Sequence, residues 1–248
     1  MTELSFANSW YWFLLGGVIC YFIGCFNFAV LISHFKKKDI RDEGSGNPGT
    51  MNMTRTFGLK FGAINFFCDV AKGGVPALVG WLIFKNCYFA GTTNIANYQY
   101  LVADFVRYFF GIMVIIGHIF PVTMKFKGGK GIASTMGLLA FALACDEWWY
   151  FLIAFVALVL VLVYIIFTEM GSMGSLLGVS GLTVFQATVF VIRYSNNLLS
   201  VWVIVTLMLL LAINFLTWFA HRKNIWRLLA GEEHHTSVRK HKKTNPRT

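Results

Sequence analysis

Acidic residues are scarce: 11 Asp and Glu stand against 21 Lys and Arg in 248 residues, and only 13% of the chain is charged. Beside an apolar content of 57%, that places the chain among integral membrane proteins and outside the soluble class. In a soluble protein a net charge of +10 would suggest nucleic acid. Here the positive-inside rule accounts for it, so nucleic acid is not expected, and anionic membrane lipid is the nearby partner. The five cysteines (Cys20, Cys25, Cys68, Cys87 and Cys145) form no C-x-x-C pair, and four lie in apolar runs. That leaves neither a disulfide framework nor a metal site; the thiols read as small buried apolar groups. The chain also lacks a G-x-S-x-G nucleophile elbow, an internal repeat and a Walker A loop. Around Lys130 the Walker pattern would need Gly where Met124 stands and Ser or Thr where Gly131 stands.

What is present is a series of apolar runs. The first, Trp10 to Ser33, is too long for a signal-peptide core and no small-residue cleavage site follows, so it reads as a retained span. Spans are expected at 10–34, 61–84, 101–121, 148–167, 176–193 and 198–218, with a shorter segment at 132–145 that is marginal for crossing. Asp69 and Lys72 stand one turn apart in the second span, and Asp104 and Arg107 one turn apart in the third, so each pair is expected to meet inside the protein. Gly73-Gly74 and Pro76 mark the second span as the place for a helix break. The expected fold is an all-α integral membrane protein with seven transmembrane helices, some short or broken. It forms a single domain over 1–248.

Seventeen of the 21 Lys and Arg fall in the loop at 35–60, the loop around Lys130 and the tail from Phe219. With seven spans these lie on one side, which the positive-inside rule makes cytoplasmic, with the N-terminus outside. The basic tail at 219–248 is then cytoplasmic too.

The segments with chemical character share that side. Lys125-Phe126-Lys127-Gly128-Gly129-Lys130-Gly131 puts three lysines and three glycines in seven residues ahead of an apolar helix. Glycine lets a backbone approach an anion closely, lysine adds point charge, and a helix N-terminus favours negative charge. The stretch Gly44 to Arg55 (G-S-G-N-P-G-T-M-N-M-T-R) has the small and amide residues of a backbone nest. A small-residue turn surrounds Ser172. In the tail, His221, Asn224 and Arg227 fall on one helical face.

Three stretches, 44–55, 117–134 (G-H-I-F-P-V-T-M-K-F-K-G-G-K-G-I-A-S) and 221–232 (H-R-K-N-I-W-R-L-L-A-G-E), together resemble the signatures of the bacterial acyl-phosphate–glycerol-3-phosphate acyltransferases of PlsY type. The resemblance extends over essentially the whole chain. It implies an acyltransferase of the bacterial cell membrane, multi-pass, with a cytoplasmic active site. Its partners would be acyl phosphate and glycerol 3-phosphate, and its products lysophosphatidate and phosphate, with no cofactor and no metal. Carried over by motif position, Lys130, His221 and Ser172 are the catalytic set. Ser45, Gly46, Asn47, Asn52, Arg55, Lys127, Gly128, Gly129 and Asn224 bind substrate, the two glycines of the Lys/Gly loop through their backbone. The chain departs from the family at Thr50-Met51-Asn52, where Ala-Thr-Asn is usual, and at Glu169 and Met170 before Ser172. Met51 has no hydroxyl to donate.

Two other readings compete. Ionisable residues in spans and an anion loop also describe a transporter of phosphorylated or other anionic molecules. Against it, the polar motifs crowd one side rather than the midplane and no repeat is present. A membrane scaffold reading anionic lipid would show charge without ordered Gly, Asn and Ser. His34 and Asp39 fit an H-x4-D acyltransferase pattern, but they sit at a span exit beside three lysines and read as coincidence.

Overall fold

The computed structural model describes residues 2–90, 98 and 100–232. Most of the polar loop at 91–99 and the tail beyond Glu232 lie outside the described residues. The chain is helical almost throughout. Its helices are α1 (Phe6–Cys25), α2 (Phe28–Phe35), α3 (Thr50–Phe57), α4 (Leu59–Phe84), α5 (Leu101–Ile119), α6 (Ile132–Asp146), α7 (Tyr150–Thr168), α8 (Gly171–Arg193), α9 (Val201–Ala220) and α10 (Arg222–Leu229). Two short strands, β1 (Thr2–Leu4) and β2 (Cys87–Phe89), pair in parallel.

Among the described residues six stretches are long and apolar enough to cross a bilayer: Asn8–Phe35, Leu59–Phe84, Leu101–Met124, Tyr150–Thr168, Gly171–Arg193 and Val201–Ala220. The molecule is an all-helical membrane protein. The segment at 132–145 is α6, which at 15 residues falls short of the ~20 that an independent span needs. It does not stand alone: Leu138, Leu139, Ala142 and Leu143 are fully buried, because neighbouring helices enclose it. α5 is the other central helix, buried on nearly every side. Close approach of α4 to α6 depends on Gly73 and Gly137. A Cβ on Gly73 would sit 1.9 Å from the Ser134 carbonyl oxygen, and one on Gly137 2.0 Å from that of Val70.

The expected helix break is in a different place. α4 runs unbroken from Leu59 to Phe84 with Pro76 inside it. Only the bond from residue 76 to the Lys72 carbonyl is forgone, and the helix continues through it. The break falls instead in the first span, between α1 and α2. Asn27 leaves helical geometry there, and its Oδ1 accepts from the Val30 N–H at 3.0 Å, an N-cap for α2. Lys72 Nζ donates to the freed Phe26 carbonyl at 3.0 Å, and Asn27 Nδ2 donates to the Pro48 carbonyl at 3.2 Å.

Both expected intramembrane ion pairs form. Asp69 and Lys72 meet at 2.8 Å. Asp104 and Arg107 meet at 3.1 Å within a larger cluster at the α6 C-terminal end. Asp146 contacts Arg107 at 2.9 Å and Arg193 at 2.7 Å, and Arg193 also reaches Asp104 at 3.3 Å. Tyr194 donates to Asp104 at 2.8 Å and Gln186 to Asp146 at 2.6 Å. Two cations balance two anions, and Tyr194 and Gln186 add one hydrogen bond to each carboxylate, the kind of compensation buried charge requires.

Candidate active site

The Lys/Gly loop is clamped before it reaches Lys130. Tyr21 of α1 donates to the Phe120 carbonyl at 2.9 Å and accepts from the Val122 N–H at 3.1 Å. Lys125 and Phe126 then take left-handed backbone angles, which reverse the chain. The loop folds back on the end of α5, with the Gly128 N–H on the Ile119 carbonyl (3.2 Å) and the Gly129 N–H on that of His118 (3.1 Å). Any side chain here would collide with α5: a Cβ on Gly128 would lie 2.0 Å from the His118 carbonyl oxygen, and one on Gly129 2.3 Å from His118 Nε2. The two glycines therefore serve close packing, and both of their N–H groups are already engaged. Lys127 is exposed, while Lys130 turns inward at the start of α6.

Lys130 Nζ donates to Asn224 Oδ1 at 2.8 Å, and Asn224 Nδ2 donates to Ser172 Oγ at 2.5 Å. That chain joins the Lys/Gly loop, α10 and the first turn of α8. His221, the residue between α9 and α10, is buried beside them. Its Nδ1 lies 2.9 Å from the Thr217 carbonyl, which can only accept, so the ring proton is on Nδ1 and Nε2 keeps a free lone pair. Thr217 also meets Thr135 of α6 at 3.4 Å between hydroxyl oxygens. Burial, and then the charge of Lys130, push the His221 imidazole from 6.5 down to about 4, so it is neutral at pH 7.

This gives a titration that NMR can follow. The His221 imidazole is expected to stay neutral well below pH 6 in the folded protein. In Lys130→Met its midpoint should rise yet remain under 6.5, because burial is the larger cause. The unfolded chain takes up a proton near 6.5 and the folded one near 4. This histidine's contribution to stability is therefore complete above about 6.5 and lost as the pH falls through that window.

The first motif forms a separate loop between α2 and α3. Asn52 is its centre: Oδ1 accepts from the Ser45 N–H at 3.0 Å, while Nδ2 donates to the carbonyls of Ile40 (3.0 Å) and Glu43 (2.9 Å). Asn52 is 1% exposed and both its amide hydrogens are committed to the loop. Three N–H groups of the expected backbone nest are occupied too. Gly46 donates to Glu43 and Gly49 to Asn47, so Ser45, Gly46 and Gly49 are all bonded within the loop. Ser45 and Arg55 are exposed and Asn47 half-buried. Met51 is exposed, whereas the Thr50 hydroxyl faces α4 and accepts from Asn65 Nδ2 at 3.2 Å.

Asn65 and His118, not singled out from sequence, connect the two loops. Asn65 Nδ2 also donates to Asp69 Oδ2 at 3.1 Å. Asp69 Oδ1 is 3.8 Å from His118 Nδ1, too long for a hydrogen bond. The His118 carbonyl in turn holds Gly129. Asn65, Asp69 and Lys72 recur at intervals of four and three on one face of α4, a spacing visible in the sequence. Thr217 gave no such signal in its apolar run. The H-x4-D pair does not assemble: His34 is exposed, and Arg41 grips both oxygens of Asp39.

Together these features define a multi-pass membrane protein in which Lys130, Asn224, Ser172 and the buried His221 meet at one end of a helical bundle. Comparison with known proteins narrows that class. The sequence model of the family described as glycerol-3-phosphate acyltransferase matches residues 14–231. The chain belongs to that family. The glycerol-3-phosphate acyltransferase of Finegoldia magna is 34% identical over 218 residues, covering 88% of this chain and 92% of that protein. That of Thermoanaerobacter pseudethanolicus is 33% identical over 221 residues, covering 89% and 93%. The crystal structure of PlsY, an integral membrane glycerol 3-phosphate acyltransferase, aligns in its glycerol 3-phosphate form with a TM-score of 0.66 at 28% identity. It covers 90% of this chain and 94% of that one. The lysophosphatidic acid form gives 0.65 at 27%, with the same coverage.

Proposed function

We propose that the protein makes lysophosphatidic acid in a bacterial cell membrane, by transferring a fatty acyl group from acyl phosphate to the 1-hydroxyl of glycerol 3-phosphate. The single observation that carries the site is the Lys130–Asn224–Ser172 chain with neutral His221 beside it. The chain crosses the bilayer seven times, α6 being the short crossing, with the N-terminus outside and the site on the cytoplasmic side. The lysine and arginine distribution supports that orientation.

Acyl phosphates are already activated, so positioning and charge stabilisation suffice without a protein nucleophile. The glycerol hydroxyl oxygen attacks the acyl carbonyl carbon and the bond from that carbon to the phosphate oxygen breaks. The hydroxyl proton ends on the departing phosphate, directly or by way of His221 Nε2. Lys130 stabilises the negative charge that develops on the carbonyl and phosphate oxygens. Ser172 and Asn224 orient the glycerol 3-phosphate. Ser45, Asn47 and Arg55 approach the phosphates from the α2–α3 side with Lys127. Gly46 and Asn52 shape their loop, and Gly128 and Gly129 bring Lys130 close.

The test is transfer from hexadecanoyl phosphate to labelled glycerol 3-phosphate by the purified protein, with hexadecanoyl-CoA as control donor. Lysophosphatidate is expected from the acyl phosphate alone. Product from the thioester but not from the phosphate overturns the donor assignment. Near-normal turnover of His221→Ala leaves the proton to the departing phosphate.

A further inference from the structure

We propose that His118 is a positioning residue for the reaction: its ring, faced from behind by Asp69, is the seat that fixes the Lys/Gly loop and with it the place of the Lys130 ammonium. The proposal rests on the acyl-transfer reading above and names what sets the geometry of its central cation. His118 lies in the last turn of α5 and is 4% exposed. Its Nδ1 has no hydrogen-bond partner among the described residues and faces Asp69 Oδ1 at 3.8 Å. That carboxylate is itself held from two sides, by Lys72 at 2.8 Å and by Asn65 at 3.1 Å. Ionisable side chains buried in a membrane bundle are costly, and the acyl transfer written above uses neither His118 nor Asp69.

The other edge of the ring lies against Gly129. A Cβ on Gly129 would come 2.3 Å from His118 Nε2, 3.1 Å from Cε1 and 3.2 Å from Cδ2, so its three nearest neighbours all belong to this one side chain. Gly129 does not take a left-handed backbone angle. The ring, rather than the backbone, is therefore what demands glycine there. Gly128 differs: a Cβ on it would meet the His118 carbonyl oxygen at 2.0 Å and Pro121 Cδ at 2.6 Å, obstacles that no change of the ring removes. Lys130 follows Gly129 directly, and on its other side Gly131 takes a left-handed angle (φ 80°) and opens α6. The lysine is thus set between two fixed points, with its Nζ 2.8 Å from Asn224 Oδ1. Precision matters here, since displacing a catalytic group by about 1 Å costs on the order of a hundredfold in rate. The same support reaches the other loop, because Asn65 also donates to the Thr50 hydroxyl at 3.2 Å.

Because a ring and a missing Cβ share one space, removing the first should permit the second. The measurements are kcat/KM for glycerol 3-phosphate, the melting temperature and the NMR midpoint of His221 in purified wild type, Gly129→Ala, His118→Ala and the double variant. Gly128→Ala is made in both backgrounds for comparison. Gly129→Ala alone is expected to lose about a hundredfold in kcat/KM. It should also raise the His221 midpoint above about 4, because the charge of Lys130 helps to hold that midpoint down. His118→Ala should lose about tenfold, and adding Gly129→Ala to it should cost no more than about threefold further. Gly128→Ala should cost the same with and without the ring. Unchanged kcat/KM and an unchanged His221 midpoint in His118→Ala overturn the proposal, as do fully additive losses in the double variant. A ring that only packs would lower the melting temperature and leave the His221 midpoint where it is, which also overturns it. Should His118→Ala fail to fold, His118→Asn takes its place in the cycle, its amide reaching toward Asp69 but not to Gly129. Wild type that makes no product from any acyl phosphate fails the acyl-transfer reading itself, and the His221 midpoints then still decide the seat.

Discussion

Lys130→Ala is expected to lower kcat about a hundred- to a thousandfold while the protein remains folded, the usual loss when one preorganised charge-stabilising donor is removed. The residue is half-buried at the start of α6, and its Nζ donates to Asn224, which in turn donates to Ser172. The loop itself is held by Tyr21, the His118 carbonyl and the Ile119 carbonyl, none of which involves the lysine side chain. Removing the ammonium therefore takes charge from the site and leaves the backbone in place. It also frees the Asn224 carbonyl oxygen and relieves the pressure on the His221 proton, but neither change supplies positive charge to the leaving phosphate. Lys130→Arg should recover only part of the rate, since a planar guanidinium cannot take the place of a compact ammonium between Asn224 and the substrate. Turnover within threefold of wild type in Lys130→Ala, with an unchanged melting temperature, would exclude the assigned role.

Arg107→Met is expected to destabilise the protein by about 3–5 kcal/mol, enough to remove most folded material from detergent extracts. Arg107 is fully buried and touches Asp104, Asp146, the Tyr108 hydroxyl and the Ala142 carbonyl. Without it two buried carboxylates share the single cation of Arg193, whose side chain is 26% exposed. The penalty comes from the carboxylates left behind rather than from the lost contacts. Arg107→Met combined with Asp104→Asn should thus be more stable than Arg107→Met alone, and the double-mutant cycle should show strong coupling. Thermal unfolding monitored by size-exclusion chromatography measures both. Additive losses from the two substitutions would mean that the cluster does not act as a unit.

Much of the architecture was legible because membrane spans announce themselves by length and apolar content. The two i,i+3 ion pairs were legible for the same reason, since an ionisable residue in an apolar run has few places to go. Asp146 was not. It follows the short apolar segment and reads as the end of a pattern, yet it is the residue to which α5 and α8 both tie α6. Such a role depends on which helices become neighbours, which no local spacing encodes. The break at Asn27 was missed because Gly and Pro are louder signals than one asparagine in an apolar run. Its consequence depends on a lysine 45 residues away.

The site divides in the same manner. Lys130, Asn224 and Ser172 come from distant motifs, and the structure joins them by hydrogen bonds. The glycines and Asn52 were legible as special positions. Their N–H and amide groups are spent on the fold itself, so their contribution is to geometry. A motif records that a residue is required, and the geometry then tells whether it is required by the ligand or by the loop.

The kink at Phe26–Asn27 has a bearing on how the chain is made. Phe26 and Asn27 emerge early from the ribosome, but the groups that satisfy them, the Pro48 carbonyl and the Lys72 ammonium, follow later. Until α4 is inserted the first span carries an open carbonyl in apolar surroundings, where such a group is costly. The N-terminal segment therefore matures only after the second long helix joins it. Arrival of α4 places Lys72 at the kink and, from the same helix face, Asp69 and Asn65 beside the ends of the two loops. Assembly of that end of the bundle is thereby coupled to the order of membrane insertion.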